Sequence, residues 1–269
     1  VHTAVAVGVG NVAVDVARIL LKSADELSWT DMPQDVLDEL RTSSVREVYV
    51  VGRRGPQYAA FTTKELRELC NIDGVQVTIS EGAFDGIEEK TLDRRRRTNL
   101  EVLRAAVARD VPQPRARLHF AFWSRPIEIG TAHVAGLERV TEVVLERTQI
   151  DAARLVGTGQ THVVPAQLVL RAIGYRGAPL PDVPFDVDRG VIPNEEGRVV
   201  TLDGEPCPQE YAAGWIKRGP IGVVGTNKSD ASETVAHLLD DLEQAPPRPH
   251  LLDAHELMRA RGFAPTTLA

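Results

Sequence analysis

Cysteine is scarce in this chain, lysine nearly so, and no long hydrophobic run occurs. The two cysteines, Cys70 and Cys207, lie far apart and form no Cys-x-x-Cys pair. A disulfide framework, a zinc site and a dithiol redox centre therefore have little support, and a reducing, cytoplasmic setting is expected. No uncharged apolar stretch approaches the ~18 residues of a membrane helix. The first residues carry neither the basic flank nor the cleavage site of a signal peptide and read directly as a strand from residue 3. Thirty-one basic residues against 38 acidic ones give a net charge of −7, which argues against a global attraction to nucleic acid. Only five of the basic residues are Lys, so a short Arg cluster says less here than usual. His250 and His255 are five apart, share no helix face and have no Cys nearby, so no metal site is expected. What remains is average for a globular protein: 269 residues, 43% hydrophobic and 26% charged, enough for one large or two modest domains.

Periodicity gives the organisation. Thr3–Gly8 reads as a strand, and Val12–Lys22 as a helix with Val12, Val16, Ile19 and Leu20 at helical spacing. Pro33 opens a second helical stretch through Leu40. Glu47–Val51 is an unbroken apolar strand, the type found in parallel sheets covered on both faces. A helix over Thr62–Cys70 and a strand over Val75–Ile79 complete a βαβαβ order, which indicates an α/β, doubly wound domain. After a helix over Arg97–Ala108, the segments Leu118–Trp123, Ile127–Ile129, Val140–Glu146 and His162–Val164 read as successive antiparallel strands, and Gln167–Ile173 as a returning apolar strand. A boundary near residue 172 is expected, dividing the chain into 1–172 and 173–269. The second part reads as loop to Pro193, then Tyr211–Trp215, a strand over Gly222–Gly225 and a helix from Ser229 to Leu242. A tail with Pro246, Pro247 and Pro249 and a short helix over Leu252–Arg261 follow.

The sharpest motif is Gly8-Val9-Gly10-Asn11-Val12-Ala13, between the first strand and the first helix. In a dinucleotide site the first glycine permits the tight turn and the second lets the backbone approach the pyrophosphate. Ala13, the third small position, lets the helix pack closely on the strand. The helix start supplies free N–H donors for phosphate, which brings Asn11 to Val14 into the reading. A purely structural glycine turn is the competing reading. At the end of the second strand, where an NAD site places a carboxylate, the chain has Gly52-Arg53-Arg54-Gly55-Pro56. Two guanidiniums suit the 2′-phosphate of NADP, whereas on an Arg-rich chain they could also be a solvated loop. The 20-odd surplus residues between motif and arginines match the helical segment Ala24–Thr42, read as an insertion.

Three motifs in order, Gly8 to Arg18, Gly52–Pro56 with Phe61–Leu69, and Gly214-Trp-Ile-Lys-Arg-Gly-Pro-Ile-Gly-Val-Val-Gly-Thr-Asn227, resemble the adrenodoxin reductase type of NADPH–ferredoxin reductases, above all the bacterial ferredoxin/ferredoxin–NADP reductases. The resemblance runs from residue 1 to about 243. It implies a Rossmann-like NADP-binding domain with an added antiparallel segment, followed by the C-terminal part of an FAD-type nucleotide-binding domain. It implies transfer of electrons from NADPH to FAD and singly to a ferredoxin. Arg53 and Arg54 would meet the 2′-phosphate and Glu65 the nicotinamide-ribose side. Trp215, Gly222, Val223 and Val224 would line the flavin. A glycine-dense strand over Gly219, Gly222 and Gly225, running into a helix start at Ser229, would suit the anionic reduced flavin, against the competing reading of an ordinary strand–turn–helix with Trp215 as core packing.

The family's N-terminal Gly-rich FAD motif is absent, so the chain is expected to bind NADP(H), to retain FAD poorly and to turn over little. Asp93-Arg94-Arg95-Arg96-Arg97 reads as a solvated run before a helix or as a docking patch for an acidic ferredoxin. Glu65 and Glu68 share a helix face as solvated carboxylates, with a proton relay through Glu68 as the lesser reading; no catalytic acid or base is assigned. A glutamate synthase small-subunit-like reductase and a non-catalytic NADP-binding module are the alternatives.

Overall fold

The computed structural model describes residues 1–222, 224–245 and 253–264, and the chain divides into two compact units, Val1–Gly174 and Tyr175–Ala269. The first unit is built on a five-stranded, wholly parallel sheet: β1 (Thr3–Val7), β2 (Glu47–Gly52), β3 (Val75–Ile79), β4 (Ala116–Phe122) and β8 (Leu168–Arg171). The strands lie in the order β3-β4-β2-β1-β8. Leu118–Trp123, expected to begin the antiparallel series, falls in β4 as far as Phe122. That strand instead pairs in parallel with both β2 and β3, because α5 (Arg94–Ala108) makes a crossover between β3 and β4. That helix starts at Arg94, with Asp93 capping it by accepting from the N–H of Arg96 at 2.8 Å, so the arginine run lies inside its first turn rather than ahead of it.

Alternation along the strands divides the core. Val48 and Val50 of β2, Val75 and Val77 of β3 and Leu118, Phe120 and Phe122 of β4 face one side. There they pack with Ala13, Val14, Ala17 and Leu21 of α1 (Asn11–Leu21), Leu66 and Leu69 of α4 (Thr63–Cys70) and Leu103 of α5. Val5, Val51 and Ala121 face the other side, where Val143, Leu145 and Val164 meet them. Those three belong to a separate antiparallel sheet of β5 (Ser124–Val134), β6 (Leu137–Asp151) and β7 (Arg154–Pro165). Among the described residues α1, α4 and α5 pack on one face and the antiparallel sheet on the other, so the arrangement is a layered α/β/β one where a doubly wound sheet was expected. The hairpin strands run well past their expected ends. Two-residue turns at Ala135-Gly136 and Ala152-Ala153, all with positive φ, let them pair out into solvent beyond the apolar stretches that marked them. The surplus segment forms α2 (Ala24–Leu27), opened by a Ser23/Glu26 capping box, and α3 (Gln34–Arg41).

The second unit has a small antiparallel sheet, β9 (Asn194–Glu195), β10 (Arg198–Val200) and β11 (Pro206–Tyr211). It also has α6 (Trp215–Arg218), α7 (Val224–Gln244) and α8 (Ala254–Ala260). The strand expected over Gly222–Gly225 is not formed: Gly222 sits at φ +94° and helix α7 already begins at Val224, so glycine density here marks a bend into a helix. Val223, the proline tail, His250 and Leu252 lie outside the described residues. Cys70 and Cys207 are both free. No helix among the described residues is long and apolar enough to cross a membrane, and no group of three or more metal-type ligands occurs among them.

Candidate functional site

Parallel α/β sheets present ligand sites at the carboxyl ends of their strands, and the motif residues converge there in the first unit. Gly8 adopts φ +135°, and a Cβ on it would stand 2.0 Å from the carbonyl oxygen of Ala172, just past β8. That glycine is required by the fold itself. Gly10 is different: its backbone is extended at φ −110°, and a Cβ there would meet nothing within 4 Å. Nothing in the protein demands a glycine at Gly10, and an unfilled space at a helix start is what a phosphate-bearing ligand needs. Gly10 is the N-cap of α1 without a side-chain cap, and its carbonyl accepts from Ala13 N–H at 3.1 Å and Val14 N–H at 3.3 Å. The N–H groups of Asn11 and Val12 precede those bonds and have no acceptor within the helix. Ala13 and Val14 send their side chains into the core, while Val12 is partly exposed.

The Asn11 side chain turns away from its own helix, and its Oδ1 accepts from the Thr62 N–H at 2.8 Å, at the start of α4. Two helix starts are thereby tied together, and the bond from Ala60 N–H to the Val9 carbonyl at 2.8 Å reinforces the junction. Glu65 lies in the first turn of α4. Its Oε2, Thr62 Oγ1 and Gln57 Oε1 are buried with no hydrogen-bond partner among the described residues. Orphaned polar atoms carry a desolvation cost that a bound polar ligand would offset. Glu68 instead forms an ion pair with Arg18 of α1, which also reaches Asp15 at 2.7 Å. Sequence reasoning missed Asn99: it is 2% exposed, donates to the Phe61 carbonyl at 3.1 Å and accepts from Thr63 Oγ1 at 2.7 Å. Only an amide inside the otherwise apolar face of α5 hinted at it.

Arg53 and Arg54 follow β2 directly, both exposed, and neither has a carboxylate partner among the described residues. The Arg54 guanidinium lies 5.4 Å from the centre of the Tyr58 ring, a cation–π arrangement that leaves its edge available. Gly52 closes against the motif: a Cβ there would come within 2.7 Å of Val9 Cγ1. A cavity of about 270 Å³ bordered by Lys22, Arg41, Arg46 and Arg115 opens at the other, amino ends of the strands. Its Arg41 and Arg115 are already paired with Asp38 and Glu26, and none of the motif residues borders it.

In the second unit, Trp215 is half-exposed at the start of α6, its ring 5.6 Å from that of Tyr175. Gly214 stands at φ +74°, and a Cβ there would meet no atom within 4 Å. Gly222 is tighter, since its Cβ would fall 2.7 Å from Thr226 Oγ1. Val224 is the first residue of α7. Beneath this segment lies a charge network that the sequence did not announce. Asp230 accepts from the Gly214 N–H at 2.5 Å and faces Lys217 at 3.4 Å, and the buried Lys217 donates to Glu233 at 2.5 Å and Thr234 Oγ1 at 3.1 Å.

No family model matches the chain. The NADPH-ferredoxin reductase FprA of Mycobacterium tuberculosis is 45% identical over 250 residues, covering 90% of this chain and 53% of the relative. The human mitochondrial NADPH:adrenodoxin oxidoreductase is 39% identical, covering 99% of this chain and 57% of its own length. A solved structure described as Mycobacterium tuberculosis FprA in complex with NADPH superposes with a TM-score of 0.80 at 41% identity, over 97% of this chain and 57% of that one. The chain thus spans about half the length of the curated relatives it matches. Along nine-tenths or more of its own residues, in sequence and in structure, it is similar to the NADPH–ferredoxin reductases of the FprA and adrenodoxin reductase type.

Proposed function

We propose that the first unit binds NADP(H) across the ends of β1 and β2. We further propose that the chain serves an FAD-dependent transfer of electrons from NADPH to a ferredoxin-type iron–sulfur protein. One contrast carries the reading: a glycine the fold does not need at Gly10, together with two guanidiniums at Arg53 and Arg54 that have no carboxylate partner among the described residues. The amides opening α1 hold the pyrophosphate, and Asn11 fixes the angle between the two helix starts. Arg53 and Arg54 grip the 2′-phosphate with charge-assisted bonds. Glu65, with its unpartnered oxygen, faces the ribose on the nicotinamide side. We assign Trp215, Gly222, Val223 and Val224 a share of the flavin site, Trp215 as an aromatic surface and Val224 as the positive start of a 21-residue helix. FAD held there would supply the conversion of a two-electron hydride donor into single-electron transfer.

The docking patch belongs to the same proposal. Four arginines in the first turn of α5 oppose the helix macrodipole, which favours anions there. Arg94, Arg95 and Arg97 are exposed without carboxylate partners among the described residues, and Arg96 lies 3.5 Å from Asp93. Cations kept at the wrong end of a helix fit an acidic partner, in whose presence the unfavourable term is offset.

The test is a titration of this chain with NADP+ and NAD+. Hydrogen bonds to a charged group contribute about 1.5–3 kcal/mol each, so Arg53→Ala and Arg54→Ala should each weaken NADP+ about ten-fold or more and leave NAD+ unchanged. Equal affinity of the unsubstituted chain for the two dinucleotides would overturn the reading.

A further inference from the structure

The loop carrying Arg53 and Arg54 is braced from a layer remote from it in sequence. We propose that Thr148 and Trp123 are positioning residues that set the preference for the 2′-phosphate; the proposal rests on the NADP reading of Arg53 and Arg54 given above. Thr148 lies on β6 and is 2% exposed. Its Oγ1 donates to the Arg53 carbonyl at 2.8 Å, and its N–H donates to the Trp123 carbonyl at 2.8 Å. The Trp123 N–H in turn donates to the Arg54 carbonyl at 3.3 Å. Three bonds thus close a ring through Arg53, Arg54, Trp123 and Thr148. The β6–β7 register breaks between Glu146 and Thr148, an irregularity of the kind that re-aims a side chain.

Trp123 sits at φ +53°, a left-handed conformation that a bulky side chain adopts only when its surroundings impose it. Its ring packs so closely on the loop that a Cβ at Gly55 would stand 2.8 Å from its Cζ2. Edge-on contact with Tyr58 at 6.5 Å continues to the Arg54 guanidinium above Tyr58. The backbone of Arg53 and both backbone and side chain of Arg54 are therefore held by Thr148, Trp123 and Tyr58. None of these contacts involves Gly10 or Asn11, the groups that serve NADP and NAD alike. Loosening the brace should cost 2′-phosphate recognition selectively.

The experiment compares NADP+ and NAD+ affinities of the chain carrying Thr148→Val, Thr148→Ser or Tyr58→Leu, with thermal melts as a control on folding. Loss of one neutral hydrogen bond changes an equilibrium by roughly three- to ten-fold. Thr148→Val should lower the NADP+ preference by about that factor at constant NAD+ affinity. Thr148→Ser should restore it, and Tyr58→Leu, altering an exposed ring, should lower it without moving the melt. An unchanged preference in Thr148→Val, or equal loss of both dinucleotides, overturns the proposal. No preference in the unsubstituted chain removes the reading of the arginines and the brace with it, a result distinct from failure of the brace alone.

Discussion

Replacing each glycine of the motif by alanine should separate fold from function. At Gly10 the added methyl meets no protein atom within 4 Å. Two opposing stability terms act there. Alanine narrows the unfolded ensemble, worth about 0.4–1 kcal/mol, but is a poorer N-cap than glycine by a similar amount. The net should stay within about 1 kcal/mol, a shift in Tm of at most about 4 °C for a unit of this size. A dinucleotide backbone lying against that position would feel the methyl as overpacking. At about 1–3 kcal/mol, affinity for NADP+ and NAD+ alike would fall roughly five- to 150-fold.

Gly8→Ala should do the reverse of this in stability. Its Cβ would lie 2.0 Å from the Ala172 carbonyl oxygen, at φ +135°. Backbone strain of about 1–3 kcal/mol plus a steric term of similar size should lower Tm by about 4 °C or more. Thermal melts and isothermal titration on the two variants supply both readouts. A Gly10→Ala chain that binds NADP+ as well as the unsubstituted one, or that melts like Gly8→Ala, would refute the argument.

Three further outcomes follow from the packing and the charges. Asn99→Ala should cost about 1–3 kcal/mol, because it orphans the Phe61 carbonyl and the Thr63 hydroxyl; a melt unchanged within error would count against it. Hydrogen bonds from Arg198 and then Tyr211 pull the Asp241 carboxyl down to about 2 from 3.8. The second unit should therefore lose stability as pH falls through that interval, and Asp241→Asn should flatten acid unfolding there; a curve of undiminished slope would contradict it. Burial pushes the Cys70 thiol up to about 12, so a thiol reagent at pH 8 should label Cys207 alone until the protein is denatured, and labelling of both in the native state would show the core around Cys70 to be open.

The parts legible in the sequence were those fixed by neighbours in the chain. Thr3–Val7 and Glu47–Gly52 are apolar on both faces, which required two covering layers, and the spacing of Val16, Leu20 and their neighbours supplied one of them as helix. The identity of the second cover was not contained in those strands. Hairpins bury one face only where they meet the sheet, so Val143, Leu145 and Val164 announced short strands, and the exposed extensions beyond them carried no apolar signal. The pairing of Leu118–Trp123 escapes the sequence for the same reason. Parallel or antiparallel pairing is decided by which partner the connection reaches, and here a 15-residue helix intervenes before the strand.

The site divides along the same line. The signals at Gly8, Gly10, Arg53 and Arg54 are local ones, since the sequence itself marks the turn, the helix start and the strand end on which they stand. Thr148 reaches Arg53 across 95 positions, and Asn99 reaches Phe61 across 38. A buried hydroxyl or amide in a sequence looks like any solvated one, because only the acceptor it meets distinguishes them. The same logic explains why a strand was wrongly expected at Gly222. Glycine density signals freedom of φ, which a strand, a bend and a helix start can all use, and here Gly222 at φ +94° stands just ahead of α7. Local requirements of a turn, a helix start or a strand end are therefore the easier half of such a candidate site to read, while contacts made across the sheet are visible only once distant strands have been brought together.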